Sequence, residues 1–116
     1  MIAVGNDVVD LEDPAIAATH LRERFVARVC AGPERDALSR AANPKLRFWT
    51  LFAAKEAAYK VVCKLGPRPL FAHRKFVVAD DLSRVEHEGA SLKLRVETGE
   101  GWVHALVTSP FTLGLS

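Results

Sequence analysis

Asn43-Pro44 opens and Gly66-Pro67 closes a run of the chain that contains no other glycine or proline. Asparagine before proline is a helix-start signal, and glycine followed by proline is a stop signal. The spacing of Leu46, Trp49, Phe52, Ala53, Ala57 and Val61 fits one inward helical face. A long helix from residue 44 to about Lys64 is therefore predicted, and everything else must pack around it.

The flanking segments predict what that helix packs on. Ile2 to Leu11 is rich in β-branched residues and ends in an acidic turn, which reads as a strand. Asp13-Pro14 signals a helix to about Cys30, with Ile16, Leu21, Phe25, Val26 and Val29 inward, and Gly32-Pro33 ends it. A shorter helix is predicted from Pro33 to Ala41, opened by Glu34 where the macrodipole favours an anion. Strands follow at Lys75 to Ala79, Arg84 to Glu88, Ser91 to Glu97 and Trp102 to Thr108, the last two joined as a hairpin by Thr98-Gly99-Glu100-Gly101. A strand, then helices, then a strand meander implies an α+β fold: an antiparallel sheet with helices packed on one face. At 116 residues, a single domain over 1–116 is expected.

Composition narrows the class. Hydrophobic residues at 49% and charged residues at 26% match a soluble globular protein. The apolar stretches are broken by charge before bilayer-spanning length, and residues 1–11 lack signal-peptide character, so a cytoplasmic protein without a membrane partner is expected. Cys30 and Cys63 have no thiol or histidine nearby at metal-ligand spacing, so both are expected reduced. A formal charge of +2 argues against nucleic acid as a partner. Arg22, Arg24, Arg28 and Arg35 nevertheless crowd one region, which suits either an acidic partner or a solvated face.

Chemistry concentrates in two places. In F-A-A-K-E-A-A-Y-K, Phe52, Glu56 and Lys60 are spaced by four and share a helix face, with Lys55 about 100° to one side. A solvent-exposed Glu-to-Lys pair worth about 0.3–0.5 kcal/mol would account for Glu56 and Lys60 alone. Against that, the surroundings from Phe48 to Val62 are almost wholly apolar, and Ala53, Ala54, Ala57 and Ala58 permit close approach. In V-G-N-D-V-V-D-L, Asp7 interrupts an apolar strand, where a buried carboxylate needs a partner. A turn acid on the surface is the alternative. Asp10, at odd spacing from Asp7, faces the other side of a regular strand.

Together the two segments resemble the 4′-phosphopantetheinyl transferase superfamily, whose patterns are a glycine-x-aspartate strand and an aromatic residue followed by K-E-x-x-x-K. R-F-V-A-R-V-C-A-G-P-E-R is similar to that family's helix end before a glutamate-led helix. The resemblance covers residues 4–64 well and the strand region loosely. It implies transfer of the phosphopantetheine arm of coenzyme A to a serine of an apo acyl or peptidyl carrier protein, with release of 3′,5′-ADP. It further implies that Asp7 and Glu56 bind magnesium (Mg2+), and that Lys60 lies near the transferring phosphate as a catalytic and cofactor-binding group. Glu56, or a water on the metal, would take the serine proton. Lys55 matches the motif lysine, and His104 resembles a late-strand histidine that contacts the nucleotide; both are expected at the coenzyme. Lys64, Arg68, His73, Arg74 and Lys75 are further candidates for its phosphates, and Arg22 to Arg35 for docking the carrier.

Two departures from the pattern bear on activity. The turn after the last motif lysine is reduced to Leu65-Gly66-Pro67, and the strand region ends at Thr108, sooner than in many relatives. Short members resemble holo-acyl-carrier-protein synthase, which implies a homo-oligomer with shared sites, a trimer before a dimer. A non-catalytic relative acting as a binding or assembly subunit is the alternative reading.

Overall fold

The structure, a computed structural model, describes residues 2–109. Strand β1 (Val4–Asp10) leads through two 3-10 turns, Pro14–Ile16 and Thr19–Leu21, to helices α1 (Glu23–Val29), α2 (Gly32–Ser39) and α3 (Pro44–Leu65). Strands β2 (Val77–Val78), β3 (Arg84–His87), β4 (Ala90–Gly99) and β5 (Trp102–Thr108) follow. They form one antiparallel sheet in the order β1-β5-β4-β3-β2. The fold is α+β, as expected.

Helix α3 begins where Asn43 accepts a hydrogen bond from the Leu46 amide, and Gly66 terminates it in extended backbone. Its alanines explain its placement. Ala53, Ala54, Ala57 and Ala58 are fully buried and let the helix lie close against β1 and β5. At Gly5 the approach is closest: a Cβ there would stand 2.4 Å from the Ala57 carbonyl oxygen, so only glycine fits without moving the backbone.

The first strand solves its pairing by joining the last. Asp7 lies opposite Ala105, Val8 opposite His104 and Asp10 opposite Trp102, while β4 flanks β5 through the hairpin with Gly99 opposite Trp102. The loop holds only Glu100 and Gly101, and Gly101 takes φ +79°, a left-handed value that suits glycine. Strand alternation then sorts the side chains. Val103, Ala105 and Val107 are buried beneath α3, whereas Val4, Val8, His104 and Leu106 fall on the opposite face.

The expected helix from residue 14 to Cys30 is corrected to two 3-10 turns and a short α1. A continuous helix would set Ile16 about half a turn away from Phe25, because nine residues at about 100° each leave them opposed. Both side chains pack on the core, and the extended backbone of Arg22 re-aims the chain between them. Leu21, expected inward, is 70% exposed.

Candidate active site

Asp7 reaches the helix side of the sheet by alternation, since Gly5 and Val9 on either side of it face the same way. Lys60 meets it there, its Nζ 3.5 Å from the Asp7 carboxylate and donating to the Asn6 carbonyl oxygen at 2.7 Å. One turn further along α3, Lys64 donates to the Val4 carbonyl. Four residues of helix therefore advance about as far as two residues of strand, which aligns α3 antiparallel to β1. Glu56, one turn before Lys60, comes close enough for its charge to act on Asp7. Burial pushes the Asp7 carboxyl above the usual carboxylate range, the Lys60 ammonium pulls it back, and the charge of Glu56 pushes it up again.

Glu56 has a partner that sequence spacing did not disclose. His73 Nε2 lies 2.8 Å from Glu56 Oε2. The imidazole stacks on Phe52 at 5.1 Å between ring centroids and lies 4.1 Å from Phe71. A depression of about 630 Å³ opens beside it, lined by Arg28, Ala31, Phe71, Ala72, His73, Arg74 and Lys75.

Two residues expected at the coenzyme lie apart from this group. Lys55 is fully buried, and its ammonium donates to the Glu34 carboxylate at 2.6 Å, the Val29 carbonyl at 2.7 Å and the His73 carbonyl at 3.1 Å. All three of its donors are thus committed within the core. The cause is the step of about 100° that separates Lys55 from Glu56 and turns it under α1 and α2. His104 lies on the sheet face away from α3, 3.9 Å from a Glu97 carboxylate oxygen, and reaches Asp7 only through the weakest of the charge effects on that carboxyl. Asp7, Glu56 and Lys60 are brought together; Lys55 and His104 are not.

The donor set can be matched to a cation. Among the described residues no group of three or more His, Cys, Asp or Glu side chains is arranged to hold a metal ion. A carboxylate such as Asp7, whose ionisation is made costlier by burial and by the charge of Glu56, is what a hard divalent cation relieves, and magnesium takes one or two carboxylates together with substrate phosphates. The residues fit magnesium better than zinc, which requires more nitrogen or sulfur donors.

The family model for the 4′-phosphopantetheinyl transferase superfamily matches residues 3–107. The chain belongs to that superfamily. Membership makes it a phosphopantetheinyl transferase by class. Solved structures share the superfamily fold: holo-(acyl-carrier-protein) synthase from Neisseria meningitidis aligns at 21% identity and TM-score 0.75, over 96% of this chain and 100% of its own. The Chronobacterium ammoniagenes synthase in complex with coenzyme A aligns at 22% and 0.72, over 97% and 98%. The Bacillus anthracis synthase, in complex with coenzyme A (3′,5′-ADP), aligns at 19% and 0.70, over 95% and 96%. Compared with curated protein sequences, the chain has no match. Among the described residues, no helix is long and apolar enough to cross a membrane.

Proposed function

We propose that this single-domain transferase moves the phosphopantetheine arm of coenzyme A onto a serine of an apo acyl or peptidyl carrier protein in the cytoplasm, releasing 3′,5′-ADP. The observation that carries the reading is the convergence of Asp7, Glu56 and Lys60 from β1 and α3 beside a basic depression. Arg28, Arg74 and Lys75 around that depression supply cationic groups suited to the coenzyme's phosphates. Asp7 and Glu56 would hold magnesium, which when bound neutralises charge on the pyrophosphate oxygens. Lys60, half exposed and anchored by the Asn6 carbonyl, presents its ammonium to the same phosphates. The Glu56 carboxylate, or a water on the metal it would hold, would accept the serine proton.

Carrier docking fits the arginines. Arg22, Arg24, Arg28 and Arg35 are exposed and, among the described residues, none forms an ion pair, so their charge is available to an acidic surface. Arg24 and Arg35 line a second depression of about 500 Å³ that also exposes Leu21, an apolar contact beside the charge. The uncovered sheet face fits a homo-oligomer, for which the family resemblance favours a trimer before a dimer. Val4 and Val8 stand on it, Val8 at 63% exposure, and among the described residues no helix covers them. His104 shares that face and would reach coenzyme only across such an interface.

The test is a mass measurement: incubated with coenzyme A and magnesium, the protein adds one phosphopantetheine mass to members of a panel of apo carrier proteins. No addition to any member, with folded protein and bound coenzyme, would favour the binding-subunit alternative.

A further inference from the structure

We infer that His73 is a positioning residue for Glu56, holding that carboxylate in the orientation the site uses. The inference rests on the transferase reading and adds to it a residue outside the two sequence motifs.

Three independent restraints converge on this histidine. Its backbone sits in the 3-10 turn His73–Lys75, and the carbonyl accepts from the Phe76 amide at 3.0 Å and from buried Lys55 at 3.1 Å. That lysine is itself locked to Glu34 at 2.6 Å, so the turn is tied to the core by a charge-assisted network. Its ring is set between two aromatic faces, Phe52 at an interplanar angle of 20° and Phe71 at 32°. Its Nε2 then faces Glu56 Oε2 at 2.8 Å. An ionised carboxylate only accepts, so the ring donates.

The geometry has a mechanical consequence. Glu56 projects from α3 on a side chain with several rotatable bonds, only partly buried, and without a partner it would sample several rotamers. Fixing Oε2 on a ring held against Phe52 and Phe71 leaves Oε1, among the described residues, without a hydrogen bond, on a carboxylate whose charge Asp7 already feels. A residue that orients a ligating or proton-accepting carboxylate in this way typically controls about 10–100-fold in metal affinity or activity. His73 also lines the depression of about 630 Å³, so the same residue borders that space and contacts Glu56.

The two functions of the ring can be separated by substitution. His73→Phe keeps the stacking and loses the N–H; His73→Gln loses the stacking and keeps an N–H at similar reach. Carrier loading gives kcat and the KM for coenzyme A, and titration calorimetry with Mn2+ in the presence of coenzyme A reads the carboxylates without turnover. His73→Phe should melt near the wild type and lose about 10–100-fold in kcat and in Mn2+ affinity. His73→Gln should recover most of both losses. Should His73→Phe fold poorly, His73→Met serves as the apolar variant. Wild-type kcat and Mn2+ affinity in a folded apolar variant, or a Gln variant as impaired as Phe, overturns the inference. A wild-type chain that loads no carrier sinks the transferase reading instead, and the Mn2+ titration then decides the role of His73 alone.

Discussion

The Lys55 ammonium and the Glu34 carboxylate meet at 2.6 Å, and water reaches almost none of either side chain. Around this pair several buried polar groups find partners. Glu34 accepts from the Ala31 amide at 2.7 Å, capping α2, and from the Val78 amide at 2.7 Å, holding the edge strand β2. Lys55 caps the end of α1 through the Val29 carbonyl. One ion pair therefore joins three helices, the His73 turn and the sheet. Burial pulls the Lys55 ammonium down from its usual range, and Glu34 counteracts that pull.

Because each charge is buried, removing one strands the other. Lys55→Met should destabilise by about 3–5 kcal/mol, whereas Glu34→Gln with Lys55→Met should cost less than the sum of the two single changes. Urea unfolding of the three variants measures this. Additive losses would show that the pair is not coupled.

Glu34 and Lys55 also mark where sequence reading stopped. The ends of α3 and the β4–β5 hairpin follow from local chemistry: an asparagine cap, a Gly-Pro stop, and a two-residue loop closed by Gly101. The shared face of Glu56 and Lys60 is legible in the helix period, whereas joining Asp7 to them rests on the family resemblance of the two segments. The burial of Lys55 against Glu34 is not legible in the spacing, because nothing between residues 34 and 55 states that α2 and α3 meet at that point. The contact of His73 with Glu56 depends on a turn packed across the helix, and the Arg22 break depends on where Ile16 and Phe25 must both go. These are tertiary demands that local spacing does not encode.

Gly5→Ala tests how closely the two halves of the site must approach. The added methyl would meet the Ala57 carbonyl at 2.4 Å, the Lys60 Cβ at 3.0 Å and Val61 at 3.1 Å. Helix backbone cannot yield as a side-chain tip can, so β1 must shift from α3, at a cost of about 1–3 kcal/mol. Since Asp7 rides on β1 and Glu56 on α3, carrier loading should fall further than the loss of folded protein explains. Activity measured well below the melting temperature separates the two effects, and full activity there would show that the spacing tolerates the shift.

The two cysteines should behave differently. Cys30 is fully buried, and that burial pushes its thiol up to about 11, while Cys63 is only partly covered. Iodoacetamide at pH 8 should therefore label Cys63 in the native protein and both thiols after unfolding, as peptide mass mapping reports. The unfolded thiol releases its proton at about 9.0 and the folded one at about 11. Stability from protonated Cys30 is thus present in full below pH 9 and lost as pH rises through 11, and Cys30→Ala should lack that alkaline component.

Asp7 presents the opposite sign from an ordinary structural carboxylate. Its carboxyl is held above the usual range by burial, with Lys60 opposing and Glu56 adding, so the ionised form disfavours the folded state near neutrality. The folded chain holds this proton more tightly than the unfolded one. The corresponding stability is present below the unfolded value of 3.8 and lost as pH rises through the higher folded value. Asp7→Asn removes the charge while keeping the shape, so it should raise the melting temperature at pH 7 and lose that advantage near pH 3. The same variant should lower carrier loading by about 10²–10³-fold, because a neutral amide cannot balance a cation beside the pyrophosphate. A variant that melts lower than wild type at pH 7 would mean that the contact with Lys60 outweighs burial, and that Asp7 is retained for stability. A variant that melts higher and fails to transfer would mark a group whose charge the fold tolerates for the sake of the reaction.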